Sequence, residues 1–70
     1  MYTFSFYYSD GSARHYEHIT TAKVGNEVIS EKEILTYDFW ANQRIFLKSD
    51  TGNYTVSTND LRSIEVEKES

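Results

Sequence analysis

The chain has 70 residues, a net charge of −4, and neither cysteine nor proline. That length holds one small domain, and the missing thiols exclude disulfides and cysteine-based zinc sites. Its apolar runs are too short for a membrane span, and seven singly scattered cations against eleven acids disfavour a nucleic-acid surface.

Residues 2–8 alternate with period 2. Tyr2, Phe4, Phe6 and Tyr8 fall on one face, and Thr3, Ser5 and Tyr7 on the other. The following Ser9-Asp10-Gly11-Ser12 is a hairpin turn. A three-residue loop with Gly11 in the left-handed region pairs Phe4 with Tyr16, Phe6 with Arg14, Ser5 with His15 and Thr3 with Glu17. A two-residue Asp-Gly loop would instead set Phe6 against His15. The first register keeps aromatic and polar residues apart, and a one-residue slip would turn every side chain to the wrong face.

The return strand runs from about residue 13 to 24. Its alternation breaks near His18-Ile19-Thr20, which predicts a bulge or bend. Gly25-Asn26 then turns the chain into residues 27–29. Two readings of the next segment stay open. Ser30 with Glu33 three residues on is a capping-box pattern, which favours one helical turn at 30–33 followed by a strand at 34–39. The alternative is a short helix over about 31–40, which would make the fold α+β.

Residues 40–43 read as a connection. Residues 44–49 read as a strand with Ile45 and Leu47 inward, and Asp50-Thr51-Gly52-Asn53 as a four-residue turn that sets Leu47 against Val56 and Ser49 against Tyr54. Phe46 and Lys48 then face outward. A tight turn at 58–61 leads to a last strand with Ile64 and Val66 inward. Short strands separated by regular turns predict a mainly β fold of five or six antiparallel strands in one domain over residues 1–67, with an acidic, frayed tail at 68–70. The strand, tight turn and final short strand at the C-terminus look like the ending of SH3-like and Sm-like barrels, and closure would remove exposed sheet edges.

The segments Phe4-Ser5-Phe6-Tyr7-Tyr8-Ser9-Asp10-Gly11 and Gly52-Asn53-Tyr54-Thr55-Val56-Ser57, with Asp60-Leu61 and Ser63-Ile64-Glu65-Val66, resemble short uncharacterised β-rich proteins of low-GC Gram-positive bacteria and their phages and plasmids. The resemblance covers about half the chain and rests on strand and turn patterns. It implies an accessory or inhibitor role on a mobile element. It implies no activity and assigns no functional residue.

Chemistry-bearing patterns are sparse. On a strand, His15 and His18 point to opposite faces, so the H-x-x-H spacing makes no metal site. The serines lack a nucleophile-elbow pattern, and the acids are spread over turns and strand exteriors. Substrate pockets occupy about 300–1,000 Å³, which a monomer of this size can hardly wall off. No glycine-rich phosphate loop is present, and Asn53-Tyr54-Thr55 reads as a chance match to the glycosylation sequon. The N-terminus lacks a secretory signal pattern, so the expected location is cytoplasmic.

The expectation is therefore a non-enzymatic binding module with no cofactor, metal, membrane or small-molecule ligand. It acts through protein–protein contact or self-association. Tyr7, Trp40 and Phe46 are the candidate contact residues, because large aromatics outside a core anchor interfaces. The alternative is a barrel that binds single-stranded nucleic acid, with those rings as stacking platforms and Arg14, Arg44 and Lys48 as phosphate contacts.

Overall fold

The alternating aromatics of the N-terminus form strand β1 (Tyr2–Tyr8), with Tyr2, Phe4 and Phe6 buried. A computed structural model describes residues 1–41 and 44–69, so Asn42 and Gln43 of the expected connection and Ser70 of the expected tail lie outside the described residues. After β1 come β2 (Ala13–Val24), β3 (Glu27–Ile29), a three-residue 3-10 turn (Phe39–Ala41), β4 (Arg44–Ser49), β5 (Asn53–Ser57) and β6 (Leu61–Lys68). The fold is mainly β.

The first hairpin adopts the register that separates aromatic from polar side chains. Phe4 faces Tyr16, Ser5 faces His15 and Phe6 faces Arg14. Gly11 sits at φ +92°, where a side chain would be strained, and its N–H donates to the Tyr8 carbonyl at 3.0 Å. Asp10 fixes the turn by accepting from the Ser12 N–H (2.8 Å) and the Ser12 hydroxyl (2.6 Å). The expected pairing of Thr3 with Glu17 does not continue. Tyr2 faces Ile19, so β2 carries one extra residue opposite Thr3. This is the expected bulge, and His18 occupies it at φ +60°.

The bulge divides the long β2. Its first half pairs with β1, and its second half pairs with β3 and β4. The sheet order is β5-β4-β2-β1-β6, with β3 also on β2. The sheet curls without closing. β5 and β6 remain edges rather than partners, so the closed SH3-like or Sm-like barrel is not formed. A hydrogen bond outside the ladders reaches across to β5, where the Tyr8 Oη donates to the Ser57 carbonyl at 3.1 Å. The Ser9 N–H donates to the Asp60 carbonyl at 2.7 Å and continues the β1–β6 contact past Leu61.

The segment between β3 and β4 makes the expected turn at 30–33 but then departs from both sequence readings. It forms neither a strand at 34–39 nor a helix over 31–40. Glu33 N–H donates to the Ser30 carbonyl, and both Thr36 and Tyr37 N–H groups donate to the Glu33 carbonyl. The capping pair is present, with the Ser30 Oγ donating to Glu33 Oε1 at 3.2 Å. These successive turns consume backbone groups that a strand would offer to a neighbour. The Asp38 carboxylate then accepts from the Trp40 N–H at 3.1 Å and starts the 3-10 turn. The segment covers one end of the core by burying Ile34 and Phe39. The Phe39 ring meets Phe4 edge-on, with centroids 5.3 Å apart.

The β4–β5 hairpin is tighter than expected. Leu47 faces Tyr54 and Ile45 faces Val56, a shift of two residues that keeps each side chain on its expected face but changes its partner. Ser49 is the reason. Its N–H donates to the Gly52 carbonyl at 2.8 Å, and its Oγ accepts from the Thr51 and Gly52 N–H groups, which closes the turn over Asp50 and Thr51 alone.

At the C-terminus, Lys68 is paired with Tyr2 in β6, and Glu69 makes four hydrogen-bonded contacts. The Glu69 N–H donates to the Met1 carbonyl. Its carboxylate accepts from the His18 N–H (2.6 Å) and the Thr3 hydroxyl (3.1 Å), and its other oxygen lies 2.8 Å from His18 Nδ1. One acid thus ties the C-terminus to the β2 bulge.

Candidate functional site

The three expected contact residues lie at three separate places. Among the described residues, no two of them share a strand pairing, a ring contact or a pocket. Tyr7 is half-buried on the outer face of β1, where its ring meets His15 edge-on at 5.9 Å. His15 Nδ1 in turn shares a 2.9 Å hydrogen bond with Ser5 Oγ. Tyr7 is therefore part of a small polar-aromatic cluster. Phe46 is 38% exposed on the outer face of β4, between Lys23 of β2 and Thr55 of β5. Trp40 is 49% exposed in the 3-10 turn.

Trp40 has the most developed surroundings. It lines a cleft of about 220 Å³ with Leu35, Tyr37, Asp38, Phe39, Ile64 and Val66. The turns at 31–36 put Ile34 into the core and leave the adjacent Leu35 half-exposed. Ile64 and Val66 come from the inward face of β6, opposite Phe6 and Phe4. They are only partly buried, because β6 is an edge strand with no neighbour beyond it. The cleft is thus an apolar rim where the core reaches the surface.

The sequence did not mark Leu35, Ile64 and Val66 as Trp40's neighbours. The sequence pattern places Leu35 within a strand, and no local pattern links residue 40 to β6. The capping box was the one available signal, since it sets the turn that separates Ile34 from Leu35.

A larger polar groove of about 490 Å³ lies between the first hairpin and β5. Its lining includes Tyr8, Asp10, Arg14, Tyr16 and Asp60. Arg14, a candidate phosphate contact, lines this groove, whereas Arg44 and Lys48 do not. Several groove groups are already engaged within the fold. Tyr8 holds the Ser57 carbonyl, and Asp10 holds Ser12. Burial raises the Tyr8 phenol, with Tyr16 adding to the shift and Arg14 opposing it, so the hydroxyl stays a donor at neutral pH. The Ser12 hydroxyl and then its N–H lower the Asp10 carboxyl. The Tyr16 and Tyr54 rings meet at a tilt of 44° with centroids 4.9 Å apart. Together with the Tyr8–Ser57 hydrogen bond, this contact ties the first hairpin to β5.

Among the described residues, no group of three His, Cys, Asp or Glu side chains is placed to hold a metal ion, and no helix is long and apolar enough to cross a membrane. Compared with known protein families, curated proteins and solved structures, the chain matches none of them.

Proposed function

We propose that this chain is a non-enzymatic binding module that makes protein–protein contact through the Trp40 cleft, with a second copy of itself as the partner. The observation that carries this reading is the pairing of two half-exposed apolar side chains, Trp40 and Leu35, over a floor of partly buried Ile64 and Val66. Covering them removes apolar surface from water at about 25 cal/mol per Å². Tryptophan is also among the side chains that dominate interface energies. Such a module fits the accessory or inhibitor role on a mobile element that the sequence resemblance implies.

Sedimentation velocity over a range of concentrations tests the reading. The expected result is a dimer whose population rises with concentration. Trp40→Ala should weaken it by about 2 kcal/mol, the scale of an interface anchor. Trp40 is the chain's one tryptophan, so its emission should shift to shorter wavelength as the dimer forms. A chain that sediments as a monomer throughout, with unchanged emission, overturns the proposal.

A further inference from the structure

The outer face of the layer built from β4, β5 and the second half of β2 has a charge opposite to that of the whole chain. Alternation along β4 turns Arg44, Phe46 and Lys48 outward while Ile45 and Leu47 go into the core. The β2–β4 register then sets Lys23 directly opposite Phe46. Three of the seven cations therefore surround one exposed ring. The remaining positions that β5 contributes beside them, Asn53, Thr55 and Ser57, are uncharged.

No acid occupies a register position on this face among the described residues, and none of the three cations is in an ion pair there; the pair found is His18 with Glu69. Asp50 lies beyond the ladder in the β4–β5 turn, and other acids lie on other strands. Glu65 and Glu67, for example, line the outer face of β6 opposite Ser5 and Thr3. The net charge of −4 thus conceals a segregated surface.

We propose that this face binds single-stranded nucleic acid, with a base stacked on Phe46 and the flanking phosphates held by Arg44, Lys48 and Lys23. This goes beyond the Trp40 reading and uses none of its residues. Strand geometry spaces Arg44 and Lys48 roughly 13 Å apart on either side of the ring, which leaves room for one base between two phosphate contacts. An exposed ring on an open sheet needs an unstacked base, which selects a single strand over a duplex. The hydroxyl and amide groups of Thr55 and Asn53 add donors and acceptors for sugar and base edges without sequence choice.

Anisotropy of a labelled oligothymidylate of about 15 nucleotides, titrated with the full chain at low salt, tests the proposal. Binding is expected, with log K falling against log salt at a slope of about −2 for three phosphate contacts on a single strand. Phe46→Leu should weaken binding about tenfold by removing the stacking plane while keeping apolar bulk, and Phe46→Trp should restore it. Lys48→Glu should abolish it, whereas Trp40→Ala should leave it unchanged. Absence of binding at low salt, or equal binding by Phe46→Leu, overturns the proposal. If the oligonucleotide does not bind and Lys48→Glu instead abolishes self-association, the face contacts an acidic surface of a second copy and the nucleic-acid proposal falls.

Discussion

Glu69 holds its place by accepting two hydrogen bonds and facing one imidazole. The His18 N–H first, then the Thr3 hydroxyl and the His18 ring, hold its carboxyl below the ordinary carboxylate range. A carboxyl lowered by folding contributes stability that is fully present above its unfolded pKa. That stability is lost as the pH falls through the folded value. Its partner His18 sits at φ +60°, a conformation that disfavours side chains, so the carboxylate supports a backbone the sequence does not favour by itself. Glu69→Ala is expected to lower the thermal midpoint near neutral pH and to remove part of the acid-side decline in stability. Thermal melts of both proteins from neutral pH into the acid range, followed by circular dichroism, check this; equal midpoints at every pH would show that the carboxylate does not clamp the bulge.

Strand β5 carries a prediction at the level of one element. The Ser49–Gly52 pair is hydrogen-bonded, and antiparallel ladders alternate bonded with non-bonded pairs. Leu47–Tyr54 and Ile45–Val56 are therefore the bonded pairs. The backbone groups of Asn53, Thr55 and Ser57 point away from β4, and the Ser57 carbonyl accordingly accepts from Tyr8. Amide exchange followed by NMR should find Tyr54 and Val56 protected and Asn53 and Thr55 exchanging quickly. Uniform protection along β5 would mean that another strand lies on this edge. The two edges also differ in chemistry. β6 carries Arg62, Glu65, Glu67 and Lys68, charges that discourage edge-to-edge pairing, whereas β5 carries none.

The whole molecule rests on one core. Its radius of gyration is 11.2 Å, close to the roughly 11 Å expected of a folded chain of this length, so the unclosed sheet costs it no compactness. The 30–41 segment supplies the cover that a closed barrel would not need, through Ile34 and Phe39. A domain of this size is stable by about 4–10 kcal/mol, and truncating a buried phenylalanine costs about 3–5 kcal/mol. Phe4 is fully buried between Phe6 and Phe39. Phe4→Ala should therefore bring the domain to the edge of unfolding. Urea titration should show either a midpoint reduced by about half or no folded baseline, and a midpoint near that of the parent would mean that the core is not shared across the molecule.

Local chemistry determined much of this architecture. Turn residues and period-2 alternation act over a few positions, so the first hairpin, its three-residue loop at Gly11, the break at His18 and the inward faces of β4 and β6 were legible from the sequence. Residues 30–41 were less so. Their pattern allowed strand or helix, and only packing decided that turns burying Ile34 and Phe39 would win. The β4–β5 register differs by two residues from the one the turn composition suggests, because the Ser49 side chain shortens the turn. The surroundings of Trp40 and Phe46 belong wholly to tertiary structure. Lys23, Arg44 and Lys48 are scattered in sequence, and the β2–β4 register gathers them around one ring, because which side chains meet across a sheet depends on strand pairing between distant segments.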